Sequence, residues 1–233
     1  MQLTVNGFLT DYQSRVLLQK ADEQSLAPVG RAIATGILPA QTLARAFREE
    51  TGLIVMPVRL TGLYYSGRGD GRLVFCFRCT MRGGDLVVPD GQPAAGFFDC
   101  TPLPAGLSTS HRQQLDEALH HAGGPPSMAQ EATGIGAWLG RLVGRAERAS
   151  ESIHWDVSVQ NSDATEEAMV EWSLVDSLPE QATLVESGEA PWETAERLLG
   201  ASRPKADKPL VRLVRVEVAS GRSAMTLVFA PNR

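Results

Sequence analysis

This chain of 233 residues predicts an α+β fold: a mixed β-sheet sandwiched between helices, then a smaller α+β domain toward the C-terminal end. Three observations carry that expectation. Stretches such as Leu73-Val74-Phe75-Cys76-Phe77-Arg78-Cys79-Thr80 are apolar runs of strand length. Ahead of them, Leu43, Ala46, Phe47 and Glu50 follow the i, i+3, i+4, i+7 rule of a single helix face. Gly123-Gly124-Pro125-Pro126-Ser127 is a cluster of chain breakers that parts the sequence in two. The resulting division is a domain over residues 1–122, a linker and packing helix over 123–150, and a domain over 151–233.

Each element has a local reason. The first helix spans about 38–51: Pro39 suits a first turn, where its missing N–H costs nothing, and Gly52 is a natural stop. Val58–Tyr65 and Leu73–Thr80 read as the two strands of a hairpin, with Ser66-Gly67 opening the turn. Beyond the breaker, Ile135 to about Ala149 reads as a helix with Trp138, Leu139, Leu142 and Val143 on one side. Gly136, Gly140 and Gly144 recur every fourth residue along it, but Arg141, Arg145 and Arg148 make it a soluble packing helix rather than a membrane one. Strands follow at Ile153–Val159, Ala168–Val175, Leu210–Val218 and Met225–Phe229, with a helix from Pro191 to about Leu199.

Charge and composition narrow the functional classes. Residues 1–122 carry 11 basic and 11 acidic side chains, and residues 123–233 carry 11 and 16. Neither half offers the basic surface on which nucleic-acid binding depends. No stretch approaches the roughly 20 apolar residues of a membrane span. The start, Met1-Gln2-Leu3-Thr4-Val5, lacks the basic and long apolar regions of a signal peptide. Cys76 and Cys79 form a C-x-x-C, yet on a strand residues i and i+3 point to opposite faces, which suits neither a disulfide nor a shared zinc. Buried thiols and a cytoplasmic location are expected.

The chemistry-bearing segment is Ala44-Arg45-Ala46-Phe47-Arg48-Glu49-Glu50-Thr51-Gly52-Leu53. It resembles the second half of the Nudix box, G-x5-E-x7-R-E-U-x-E-E-x-G-U with U apolar. Arg45, Phe47, Glu49, Glu50, Gly52 and Leu53 fall on that pattern, and Ala46 stands where the family has a glutamate. Upstream, Pro28 to Ile37 occupies the place of the family's P-G-G-K-V-E-P-G-E loop: Gly30 and Gly36 are kept, Arg31 replaces the box's first glycine, and Ile37 its first glutamate. Downstream, Gly83-Gly84-Asp85-Leu86 and Phe97-Phe98-Asp99 through Leu103-Pro104 resemble later Nudix strands, Gln92 stands where many members place a further carboxylate, and a closing helix runs from about Ser108 to His121. His120-His121 at its end is suited to capping carbonyls.

A second, fainter copy follows. Val58-Arg59-Leu60 recurs as Val211-Arg212-Leu213, Ser66-Gly67-Arg68 as Ser220-Gly221-Arg222, and Leu73-Val74-Phe75 as Leu227-Val228-Phe229, at offsets of 153 and 154. Gly36-Ile37-Leu38-Pro39 aligns with Gly188-Glu189-Ala190-Pro191 at an offset of 152, and Thr42 and Arg45 align with Thr194 and Arg197. Val185-Glu186-Ser187-Gly188-Glu189 resembles the family's V-E-P-G-E turn, while the following helix lacks the double glutamate. Glu189, Glu193 and Glu196 fall at i, i+4 and i+7, the spacing of a polar outer face or of a carboxylate cluster.

The resemblance implies hydrolysis of a nucleoside diphosphate linked to another moiety, with magnesium or manganese held by Glu49 and Glu50, Arg45 beside them, and Gly30 near the ligand. A hard cation needs several oxygen ligands, and Ile37, Ala46 and Gln92 stand where acids are wanted. Three functions therefore stay open: a hydrolase with a reduced metal site, a catalytically silent Nudix fold that binds a nucleotide or sugar nucleotide, or an interaction module. Homodimerisation stays open as well.

Overall fold

A computed structural model describes residues 2–34, 36–67, 71–121, 125–130, 155–159, 172–175, 183–185, 189–198, 209–219 and 225–231. The chain forms two compact units, residues 3–62 with 74–122, and residues 1–2 and 63–73 with 123–233.

In the first unit the expected helix is α1 (Pro39–Thr51). Its buried face carries Leu43, Ala46, Phe47 and Glu50, as the periodicity requires. Gly52 ends it in the left-handed region, φ 73, with its N–H donating to Arg48 O. α1 packs close over β1 (Gln2–Leu9) because Gly7 has no side chain: a Cβ there would lie 2.5 Å from Phe47 Cε2 and 2.9 Å from Leu43 Cδ1. β1 pairs antiparallel with β4 (Val29–Ala32), Arg31 standing opposite Val5. The hairpin strands are β5 (Ile54–Ser66) and β6 (Arg72–Gly83), longer than their apolar runs suggest. The sheet order is β4-β1-β6-β5-β8, where β8 (Ser127–Gln130) and the turn end of the hairpin carry residues of the second unit.

A separate three-stranded sheet, β3-β2-β7, joins β2 (Val16–Lys20) to β3 (Leu26–Ala27) and β7 (Ala95–Phe98). The strand expected through Asp85 and Leu86 is not formed. β6 ends at Gly83, and the segment beyond it runs against the end of α1, where Val87 N–H donates to Thr51 O at 3.0 Å. The closing helix is α2 (Thr109–His120). Ser108 is its N-cap, accepting from His111 N–H at 3.1 Å, and His120 Nδ1 lies 2.9 Å from Asp116 O in the last turn. Cys76 and Cys79 are both buried free thiols, and burial pushes both pKa values up.

The second unit holds a second five-stranded sheet, β10-β12-β13-β9-β11. Its members are β9 (Trp155–Val159), β10 (Trp172–Val175), β11 (Thr183–Leu184), β12 (Val211–Ala219) and β13 (Met225–Pro231). β12 and β13 pair antiparallel, with a bulge between Leu213 and Arg215. Helix α3 (Pro191–Leu198) buries Trp192, which meets Tyr65 edge to face at a ring separation of 6.3 Å. The glycine-spaced helix around Trp138 lies outside the described residues.

Glu189, Glu193 and Glu196 form neither an outer face nor a cluster of free acids. Glu196 is 3% exposed and accepts from Leu210 N–H at 2.7 Å. Glu193 accepts from Ala190 N–H at 2.8 Å, and Glu189 from the Thr194 hydroxyl at 2.6 Å. Spacing alone did not set their roles; the donors nearby did, a backbone N–H just before the helix for Glu193, the Thr194 hydroxyl for Glu189 and the Leu210 N–H for Glu196.

Candidate functional site

α1 carries the acids to one end. Glu49 and Glu50 are adjacent in its last turn, so their side chains diverge by about 100° around the axis. The divergence shows in burial: the Glu49 side chain is 40% exposed and the Glu50 side chain 9%. Arg45, one turn earlier, donates through Nε to Glu49 Oε1 at 2.6 Å.

β4 supplies the group that joins the two acids. The Arg31 guanidinium reaches Glu49 Oε2 through Nη1 at 2.5 Å, and Glu50 Oε1 through Nε at 3.2 Å and Nη2 at 2.8 Å. Three of the four carboxylate oxygens are thus engaged by guanidinium N–H groups. Such charge-assisted pairs are short and directional, and arginine suits them because its fork of donors matches carboxylates. The Arg45 hydrogen bond first, and the Arg31 bond second, hold the Glu49 carboxyl below its ordinary range. The bond to Glu49 raises the Arg31 pKa, with burial opposing. Two cations meet two anions, so the cluster is neutral.

The site residues read from the sequence are distributed as follows. Arg45, Glu49 and Glu50 come together. Gly30 stands on β4 opposite Asn6, whose side chain fills the space beside it and donates to Gln114 Oε1 at 3.0 Å. Ile37 is 41% exposed just ahead of α1, and Ala46 is wholly buried beside Leu43 and Phe47. Gln92 lies in an exposed turn, its N–H donating to Pro89 O. The residue that spacing did not single out is Arg31. Its signal is a long basic side chain where the pattern resembled wants a glycine.

A divalent cation would find only part of its oxygen ligands in this donor set, the rest coming from water and substrate. Hard cations take several oxygen ligands, and no group of three or more His, Cys, Asp or Glu side chains converges among the described residues. The two acids that do converge already share a guanidinium. No helix among the described residues is long and apolar enough to cross a membrane.

No protein-family model and no curated protein sequence matches the chain. Solved structures similar to it include an ADP-ribose pyrophosphatase from Streptococcus suis 89-1591, 18% identical over 56% of this chain and 98% of that one, with a TM-score of 0.45. A NUDIX hydrolase from Nitrosomonas europaea is 16% identical over 55% of this chain and 77% of its own, with a TM-score of 0.47. A UDP-X diphosphatase is 20% identical over 55% of this chain and 66% of its own, with a TM-score of 0.46.

Proposed function

We propose that this chain is a Nudix-type protein that binds a small molecule containing a nucleoside diphosphate and does so without a metal ion. The observation that supports this reading is the Arg31 guanidinium bonded to both box glutamates. Two bare carboxylates would repel a diphosphate unless a cation lay between them. Arg31 and Arg45 supply that neutralisation from within the chain. Hydrolysis is then slow, because the guanidinium groups occupy three of the four carboxylate oxygens that would otherwise hold a cation to polarise phosphorus.

Metal-assisted hydrolysis of the same ligand class is the second reading. What favours it is that Arg45, Glu49 and Glu50 are carried on a helix closed at Gly52, in the order the box requires. Magnesium or manganese would then have to take Arg31's place on Glu49 and Glu50.

Calorimetric titration with a nucleoside diphosphate sugar, in chelator and again in magnesium or manganese, separates the two. The expected result is binding that chelator leaves unchanged, with no phosphate-bearing product. Metal-dependent turnover that disappears in Glu49→Gln/Glu50→Gln establishes the second reading instead.

A further inference from the structure

Three features around the start of α1 call for an explanation. Ile37 exposes a large apolar side chain to 41% of its full area. The Thr42 hydroxyl is buried with no hydrogen-bond partner. Arg45, three-quarters exposed, turns forward along the helix to Glu49 rather than back toward its start. An unsatisfied buried hydroxyl costs free energy that natural folds rarely leave uncompensated.

The second unit holds the arrangement that would account for all three. Glu189 accepts from Thr194 Oγ1 at 2.6 Å, from Arg197 Nη2 at 3.0 Å and from Arg197 Nε at 3.4 Å. Residues 189, 194 and 197 stand to one another as 37, 42 and 45 do, at one constant offset of 152. The backbone repeats at that offset too: Thr42 N–H donates to Leu38 O at 3.0 Å, and Thr194 N–H to Ala190 O at 3.3 Å. Pro39 and Pro191 open the two helices, Thr42 and Thr194 are buried, and Leu43 and Ala195 are wholly buried after them.

We propose that residues 189–197 are the complete counterpart of residues 37–45 in a duplicated unit, and that Ile37 marks the lost carboxylate that would tie Thr42 and Arg45 together. The sheets support the same correspondence. Read from one edge, β4-β1-β6-β5 and β11-β9-β13-β12 match strand for strand, each with its helix placed between the first and last of these in the chain. The fifth strands are not equivalent: β8 follows α2, whereas β10 lies between β9 and β11. Loss of the acid at 37 has a consequence for the site. Arg45 is released to Glu49 and becomes the second guanidinium on the acid pair.

Ile37→Glu in the full chain tests this, with thermal unfolding followed by circular dichroism. The expected result is a midpoint raised by about 2–4 °C, a smaller rise for Ile37→Gln, and no rise for Ile37→Glu once Thr42→Val and Arg45→Met are present. Glu189→Ile should lower the midpoint, and should no longer do so with Thr194→Val and Arg197→Met. A folded Ile37→Glu chain whose midpoint is unchanged or lower overturns the proposal. So does a gain that survives the loss of Thr42 and Arg45, because the new carboxylate would then be acting elsewhere. The outcome does not depend on whether any ligand binds.

Discussion

Helices α1 and α3 begin alike and end differently. Each opens on proline, buries a threonine three residues on, and exposes an arginine three residues after that. α1 then runs on to Thr51, giving it a buried Phe47 and the Glu49–Glu50 pair. α3 is described to Leu198 and places a buried glutamate, Glu196, where α1 has Ala44. The acids of α1 are tied by guanidinium groups, Arg31 on a neighbouring strand and Arg45 on the helix itself, while Glu193 and Glu196 of α3 accept from backbone N–H groups. A carboxylate's role is therefore set by what lies across from it rather than by its position along the helix.

The hydrophobic anchors give the comparison its largest test. α3 rests on Trp192, 2% exposed and stacked edge to face on Tyr65, and α1 rests on Phe47, wholly buried over Gly7. Trp192→Ala should destabilise the second unit by about 3–5 kcal/mol, as should Phe47→Ala the first, from lost burial plus the cavity left behind. Urea unfolding measures both, with separate probes because two units need not unfold as one. If Trp192→Ala costs well under 1 kcal/mol while Phe47→Ala costs several, α3 is not anchored as α1 is.

A smaller effect is expected at Glu196. Glu196→Ala removes the acceptor of the Leu210 N–H and should cost about 1–3 kcal/mol, because a part-buried donor loses its hydrogen bond. Glu196→Gln keeps an acceptor oxygen and should recover most of that loss. Equal losses in the two variants would mean that the negative charge, rather than the hydrogen bond, is what Leu210 requires.

Much of the first unit was legible because its signals are local. The spacing of Leu43, Ala46 and Phe47, the proline at 39 and the glycine at 52 each act within a few residues, and α1 appears where they place it. Ser108 capped α2 for the same reason. The partner of Glu49 and Glu50 was not legible, because Arg31 precedes them by 18 and 19 residues and meets them only once β4 lies beside α1. Gly83-Gly84-Asp85-Leu86 misled because a resemblance to later strands ignores the tertiary bond from Val87 to Thr51 that draws the segment off the sheet. Glu196 misled because helical spacing says which residues share a side, not whether that side meets solvent or a backbone donor.

The smallest effect concerns acid. Arg45 and then Arg31 hold the Glu49 carboxyl below its ordinary value near 4.5. Between the two values the folded chain binds fewer protons at Glu49 than the unfolded chain does. The stabilisation is therefore complete above the ordinary value and is lost as pH falls through the lower, folded one. Glu49 is substantially exposed, so solvent and salt screen the pair and the effect is modest. Unfolding midpoints of the full chain and of Glu49→Gln, measured from neutral pH into the acid range, should differ above the ordinary value and converge below the folded one. Added salt should shrink the difference. A gap that stays constant through the acid range would mean that the two guanidinium groups do not hold Glu49 in solution, and the contrast between an ion-paired α1 and a backbone-bonded α3 would fall with it.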